Sequence, residues 1–159
     1  MSHDPDGLHL RSARPGDLAT IVSFNLAIAR ETESKALDPA VLERGVAAML
    51  ANRVLGFYTI AEERGAAVGQ IMVTTEWSDW RAAHFWWIQS VYVEPASRRR
   101  GVYTALHRHV ENAARAAGAC GLRLYVERAN AAAQATYRRL GMRASGYDLF
   151  ETSLPPTRP

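Results

Sequence analysis

Features that would place the chain in a special class are mostly missing from its 159 residues. A single cysteine, Cys120, excludes an internal disulfide, which agrees with a reducing compartment and makes a cytoplasmic location the default expectation. The apolar runs are far too short to span a bilayer, and Met1–Leu10 has neither the basic nor the apolar region of a secretory signal. We therefore expect no membrane partner.

Lysine is nearly absent as well, since Lys35 is the only lysine among 19 basic residues. The formal net charge of +3 is mild, and Arg98, Arg99 and Arg100 form the only run of three basic residues. A nucleic-acid-binding protein needs a stripe or face of such residues. The diffuse charge therefore argues against nucleic acid as a partner, which stays the least favoured alternative, and favours a local anion site. We also expect no metal.

No internal repeat or linker interrupts the hydrophobic pattern, which predicts one α/β domain over residues 8–152, between a disordered tail at 1–7 and a loose tail at 153–159. The predicted strands are Leu8–Ala13, Gly56–Glu63, Ala66–Trp77, His84–Glu94, Gly121–Glu127 and a last strand or hairpin at Met142–Thr152. The predicted helices begin near Asp17, Asp38, Val102 and Asn130. Ile88 to Val126 forms a strand–helix–strand unit, so the fourth and fifth strands should be parallel in a mixed sheet with helices on both faces.

The stretch IQSVYVEPASRRRGVYTAL, residues 88–106, orders strand, turn and helix in a way that suits an anion. Pro95 ends the strand, three arginines follow, and a helical pattern begins after Gly101. The first N–H groups of a helix have no internal partner, arginines add fork-shaped donors, and glycine lets a ligand approach the backbone. This order predicts a site for a phosphate-bearing ligand, with a solvated charge cluster as the alternative. A phosphate loop is excluded, because no Gly-Lys-Ser/Thr follows the turn.

Two segments of the chain resemble the GNAT superfamily of acyl-CoA-dependent N-acetyltransferases, over roughly Leu8 to Phe150. VYVEPASRRRGVYTAL is similar to the family's signature of strand, proline and Arg/Gln-x-x-Gly-x-Gly/Ala at a helix start, except that Tyr103 stands where glycine or alanine is usual. NAAAQATYRRLGM is similar to the family's Asn-Ala-Tyr-Gly-Phe/Met segment through Asn130, Tyr137 and neighbours. The resemblance implies a single GNAT-like, mostly antiparallel mixed sheet of about six to seven strands with four helices.

The resemblance also implies acetyl-CoA as the cofactor and the path that it takes. Its pantetheine arm should run along the strand backbone at Val91–Val93, and its pyrophosphate should lie on the N–H groups between Arg99 and Thr104. Tyr103 puts a bulky ring there, so the turn or the pyrophosphate path is expected to differ from that of relatives. The cofactor-binding residues implied in this way are Val91, Tyr92, Val93, Arg98, Arg99, Arg100, Gly101, Val102, Tyr103, Thr104, Asn130 and Tyr137.

Acetyl transfer to an amine needs a proton for the leaving thiolate, and the resemblance implies Tyr137 as its donor. A thiol has a pKa of about 8.5 and a tyrosine one of about 10, so a positioned hydroxyl can donate without ionising at rest. The alternative is a core tyrosine on one face of its helix. Some relatives place an acidic base near the position of Trp87, which carries no acid here. Glu127 is one candidate base, and Glu76 and His84 are others. The alternatives are a water relayed by the backbone or no strong base at all.

The expected reaction is direct attack of a primary amine, from a small molecule or a peptide, on acetyl-CoA in a ternary complex. Strict strand alternation puts Trp87, Gln89 and Val91 on one face and Ile88 on the other. Trp87 and Gln89 are expected to bind the acceptor, and Glu31 and Glu33 would favour a cationic amine, unless they are solvated surface carboxylates.

Surplus tryptophans and a sheet edge are compatible with a homodimer. The alternative function is a non-catalytic module that binds or senses acyl-CoA.

Overall fold

A computed structural model describes residues 7–32 and 36–155, which fall into two compact units divided between Tyr125 and Val126. The first unit contains the strands β1 (Leu8–Ser12), β2 (Phe57–Glu63), β3 (Ala66–Ser78), β4 (Ala83–Val93) and β5 (Gly121–Leu124). It also contains the helices α1 (Leu18–Thr32), α2 (Pro39–Ala51) and α3 (Val102–Ala116). The second unit contains α4 (Ala131–Arg139). The four predicted helices are confirmed.

The strands form one sheet in the order β1-β2-β3-β4-β5. All neighbours are antiparallel except β4 and β5, whose parallel pairing through the α3 crossover confirms the prediction. The prediction of six to seven strands is wrong, because the described residues form five strands and Met142–Thr152 is neither strand nor helix. Residues Tyr147, Leu149 and Phe150 of that segment are exposed. Aromatic residues favour a strand only when a neighbouring strand accepts its backbone hydrogen bonds.

Local signals at the helix ends explain where the first two helices begin. Asp38 caps α2 by accepting from the Ala40 N–H at 2.9 Å, and Pro39 occupies the first helical position. Asp17 was the expected cap of α1, but it lies in a short 3-10 turn, where its carboxylate accepts from the Arg14 N–H at 2.7 Å and from Arg11 at 2.7 and 2.8 Å. The Arg11 hydrogen bonds hold the pKa of Asp17 below its usual value.

The apolar core lies on both faces of the sheet. On one face α3 packs against β1–β4, and the buried residues that these elements contribute are Leu8, Ala61, Ile71, Val73, Ile88, Val102, Leu106 and Val110. On the other face α1 and α2 cover a smaller cluster of Ile21, Val46, Tyr58 and Ile60. The helices of the first unit therefore lie on both faces, as the sequence predicted.

A β-bulge in β4 changes which side chains share a face. Met72 is opposite Ser90 and Val73 is opposite Ile88, so Gln89 is the extra residue of β4. Ile88 before the bulge and Val91 after it consequently pack against the same α3-side cluster. The predicted strict alternation, which put Ile88 and Val91 on opposite faces, is wrong for this reason.

His107 of α3 is a buried titratable group in the core of the first unit. It is 1% exposed, and neither ring nitrogen has a hydrogen-bond partner among the described residues. Burial lowers its pKa below the usual 6.5, and Glu111 opposes that effect more weakly. Because the unfolded chain then binds more protons below pH 6.5, folding stability should fall as the pH drops through that value.

We predict that the free energy of unfolding falls by up to about 1.4 kcal/mol per pH unit below this value on account of His107. Urea unfolding at about pH 7.5, 6.5 and 5.5 measures the slope of the free energy of unfolding against pH. The variant His107→Leu should have a flatter slope, whereas His9→Leu, at an exposed position of β1, should keep the parental one. Equal slopes for parent and His107→Leu would contradict the assignment.

Candidate functional site

The N-terminus of α3 is open toward solvent. Gly101 caps it with a left-handed φ of 83°, and the first backbone bond of the helix is donated by Ala105 N–H to the Gly101 carbonyl at 2.9 Å. A glycine cap has no side chain to accept from the N–H groups of the first turn. A Cβ added to Gly101 would meet no atom within 4 Å. The first-turn N–H groups therefore face space that an anion can enter.

The three arginines before this helix have different surroundings. Arg98 donates from Nε to the Val93 carbonyl at 2.8 Å and from Nη2 to Glu31 at 2.6 Å, and its guanidinium lies 5.7 Å from the centre of the Tyr92 ring. Arg100 pairs with Glu63 at 3.2 Å. Arg99, whose φ is 63°, makes no ion pair among the described residues.

These contacts give the arginines different tasks. Arg98 joins Glu31, which was expected to bind the acceptor, to a turn that was expected to bind the cofactor. Arg98 and Arg100 hold the turn, since their charges are matched by carboxylates. Arg99 has the guanidinium that an arriving anion would meet first.

The second half of β4 has a free edge in the first unit. The parallel pairing with β5 ends at Ile88 and Leu124, whereas β4 continues to Val93. Beyond Ile88 the β4 backbone groups on that side therefore have no strand partner among the described residues of this unit. Val91 and Val93 on this stretch are half-buried. Such an edge can pair with an extended chain that carries amide groups.

Tyr103, the residue that departs from the family signature, is half-buried in the first turn of α3. Its ring centroid lies 6.2 Å from that of His107, one turn further along the same helix. The side chain thus lies beside its own helix, next to Val102 and Thr104 of the expected pyrophosphate site. Its effect on cofactor binding stays a prediction.

On the sheet face opposite α3, polar and aromatic side chains of β3, β4 and β5 meet. Glu76 accepts from Trp87 Nε1 at 3.0 Å and from Arg123 Nη1 at 2.9 Å. The Arg123 guanidinium lies 3.5 Å from the centre of the Phe85 ring, and Trp87 stacks on Tyr125 with ring centroids 4.6 Å apart. Arg123 and Tyr125 were missed by the sequence reasoning, because only the register that sets Arg123 beside Trp87 reveals them.

Two further candidate residues of β4 differ in position, because Gln89 lies on this face whereas His84 alternates with it and lies on the α3 side. Gln89, the bulge residue, donates to Thr74 Oγ1 at 2.9 Å and is exposed. His84, one of the candidate bases, has its ring 5.0 Å from that of Trp77. Glu33 lies outside the described residues.

In the second unit, Asn130 caps α4 as predicted, with its side-chain oxygen accepting from the Ala133 N–H at 3.0 Å. The backbone carbonyl of Glu127 accepts from the Asn130 N–H at 2.9 Å. Glu127, one of the candidate bases, is exposed. Tyr137, in the last turn of α4, is half-buried. The cap leaves the amide nitrogen of Asn130 available for another acceptor.

The described residues contain neither a metal-binding group nor a membrane-spanning helix. In residues 7–32 and 36–155, no three His, Cys, Asp or Glu side chains are grouped so that they could hold a metal ion. None of the helices described is long and apolar enough to cross a membrane.

Comparison with known proteins decides the family. A model of the acetyltransferase (GNAT) family matches residues 27–142, which is more than half of the chain. The chain belongs to the GNAT family. GNAT acetyltransferases bind acetyl-CoA or CoA, and the strand, turn and helix described above occupy the signature segment of this GNAT protein.

Solved structures of acetyltransferases share the fold over nearly the whole chain. A possible acetyltransferase from Clostridium difficile 630 is 42% identical, with 94% of this chain and 99% of that chain covered and a TM-score of 0.89. A ribosomal-protein-alanine N-acetyltransferase from Brucella melitensis biovar Abortus 2308 is 14% identical, with 93% of this chain and 99% of that chain covered and a TM-score of 0.76. An aminoglycoside N-acetyltransferase in complex with CoA is 14% identical, with 96% of this chain and 99% of that chain covered and a TM-score of 0.78. No curated protein matches the chain.

Proposed function

We propose that this protein transfers the acetyl group of acetyl-CoA to a primary amine by direct attack in a ternary complex. The observation that carries the proposal is the glycine-capped N-terminus of α3, which follows the free edge of β4 within a few residues in a member of the GNAT family. The N-terminus of α3 suits a pyrophosphate, and the free edge of β4 suits an extended arm that carries amide groups. Coenzyme A contains both chemical groups.

The residues of the first unit fit this cofactor group by group. The backbone of Val91, Tyr92 and Val93 would take the pantetheine amides. The N–H groups from Gly101 to Thr104 and the Arg99 guanidinium would take the pyrophosphate. Arg98 and Arg100 would serve the same site by holding the turn, through their bonds to Glu31 and Glu63. In the second unit, the free amide nitrogen of Asn130 is the group that we propose for the cofactor.

A bound acetyl-CoA supplies the thioester carbonyl at which the amine nitrogen forms its new bond as the carbon–sulfur bond breaks. The nitrogen must lose a proton and the leaving sulfur must gain one. We propose that the Tyr137 hydroxyl donates the latter, since a phenol near pKa ~10 stays protonated at neutral pH and can still protonate a thiolate. We propose Glu127 as the base that removes the proton from the amine nitrogen, because the carboxylate of Glu76 already accepts hydrogen bonds from Arg123 and Trp87.

The proposal is tested by initial rates of thiol release with both acetyl-CoA and a primary amine varied. Direct attack in a ternary complex predicts double-reciprocal lines that intersect. Parallel lines would show an acetylated enzyme and contradict the direct route. Tight binding of acetyl-CoA without any amine-dependent thiol release would instead favour the acyl-CoA-binding module.

A further inference from the structure

The structure limits the side from which an acceptor can approach, given the proposed function on which this inference rests. The acetyl end of the cofactor would lie where β4 leaves β5, just beyond Ile88. On the α3 side of the sheet, that position is filled by the core around Ile88 and Leu106. On the opposite face, Gln89 is exposed and Trp87 is half-buried. The acceptor must therefore meet the face that carries Trp87.

Among the described residues of the first unit, the strands β3, β4 and β5 and the helix α1 offer no unpaired carboxylate to a polycation. Within the strands β4 and β5 there is no carboxylate, and α1 and β3 contribute one each, Glu31 and Glu76. Glu31 pairs with Arg98 at 2.6 Å and Glu76 with Arg123 at 2.9 Å. The two pairs carry no net charge, so a ligand with several ammonium groups would face two arginines as well as two carboxylates.

What the face does offer is a fixed aromatic surface. The rings of Trp87 and Tyr125 stack 4.6 Å apart at an interplanar angle of 30°. The bond from Trp87 Nε1 to Glu76, at 3.0 Å, fixes the orientation of the indole, and Tyr125 is 54% exposed. Two stacked rings with an accessible side bind a further planar ring in an offset arrangement.

We propose that the acceptor is a monoamine with an aromatic ring close to its primary amino group, and that the ring stacks on the Trp87–Tyr125 pair. The ring holds the amine beside the end of the β4–β5 pairing. The single positive charge is lost when the amine gives a proton to the proposed base, Glu127, so the face needs no further carboxylate to receive it. Trp87 and Tyr125 are thus specificity-determining residues of the proposed reaction.

The test compares three amines at saturating acetyl-CoA, namely 2-phenylethylamine, hexylamine and spermidine. The parent protein should have the largest kcat/KM for 2-phenylethylamine. Trp87→Leu should raise KM for that amine about three- to tenfold, the range expected of one aromatic pair, with kcat nearly unchanged. Trp87→Phe should restore most of the loss. Hexylamine kinetics should change little in either variant.

Trp77→Leu is the matched control, because Trp77 is a half-exposed tryptophan whose ring contacts His84 away from this pair. It should leave all three amines unaffected. A preference for spermidine or hexylamine, or an equal effect of Trp87→Leu on phenylethylamine and hexylamine, would overturn the inference while amine acetylation stands. Thiol release with none of the amines would overturn the proposed function itself, and the inference with it.

Discussion

Replacing Gly101 by aspartate is expected to raise the dissociation constant of acetyl-CoA about 100-fold or more. The new carboxylate would lie at the cap of α3, where the pyrophosphate is proposed to meet the first-turn N–H groups. It would repel the ligand and compete for the same donors, and at an effective dielectric constant of ~20 two unit charges 4 Å apart repel by about 4 kcal/mol. Isothermal titration of acetyl-CoA into the folded variant measures the change.

Gly118 provides the matched control for this substitution. It lies just beyond the other end of α3, it also has a left-handed φ, of 72° against 83° for Gly101, and a Cβ there would likewise meet no atom within 4 Å. Gly118→Asp therefore imposes the same backbone strain, of about 1–2 kcal/mol, without touching the proposed anion site. If both variants lose affinity equally, the pyrophosphate does not bind at the N-terminus of α3.

Replacing Tyr137 by phenylalanine is expected to lower kcat about 100-fold or more, with the dissociation constant of acetyl-CoA nearly unchanged. The substitution keeps the ring of this half-buried α4 residue and removes only the hydroxyl that we propose as the proton donor. A general acid that acts on the leaving sulfur contributes only while that bond breaks, so its loss should appear in kcat more than in binding.

Tyr147→Phe is the control for Tyr137→Phe, because it removes a hydroxyl from an exposed tyrosine of the same unit. It should turn over at the parental rate. Thermal unfolding of both variants shows whether the fold is retained. A Tyr137→Phe variant with parental kcat at saturating substrates would remove Tyr137 from the mechanism.

The predictions that succeeded rest on local signals. Three such signals gave correct predictions. The helical pattern after Gly101 predicted the start of α3, an asparagine before another helical pattern predicted the cap at Asn130, and a strand–helix–strand run predicted the parallel β4–β5 pair. Each depends on residues that are neighbours along the chain, where steric preference and hydrogen-bonding capacity act directly.

The predictions that failed depend on contacts between distant residues. The bulge at Gln89 arises from the pairing of β4 with β3, and no residue type in the strand predicts it. Glu31 and Arg98 are 67 residues apart, so their bond could not be read from either segment. At Met142–Thr152 the aromatic pattern favoured a strand, but strand formation also needs a neighbouring strand, which sequence pattern does not supply.

The same tertiary contacts change the interpretation of the acceptor side. The sequence offered Glu31 as a carboxylate for a cationic amine, whereas the structure pairs it with an arginine of the signature turn. Arg123, which sequence reasoning passed over, matches the charge of Glu76 in the same way. The charge of a site depends on its ion pairs, and these pairs join residues that only the tertiary structure brings together.

In the proposed reaction, an amine nitrogen takes the acetyl group from acetyl-CoA on this protein. The most direct measurement is the molar ratio of N-acetylated amine, determined by mass spectrometry, to free thiol released from acetyl-CoA in the same reaction with 2-phenylethylamine. We expect a ratio of one amide per thiol, with no thiol release above background when the amine is omitted. Thiol release without amide, or acetyl-CoA binding with neither product, would contradict it.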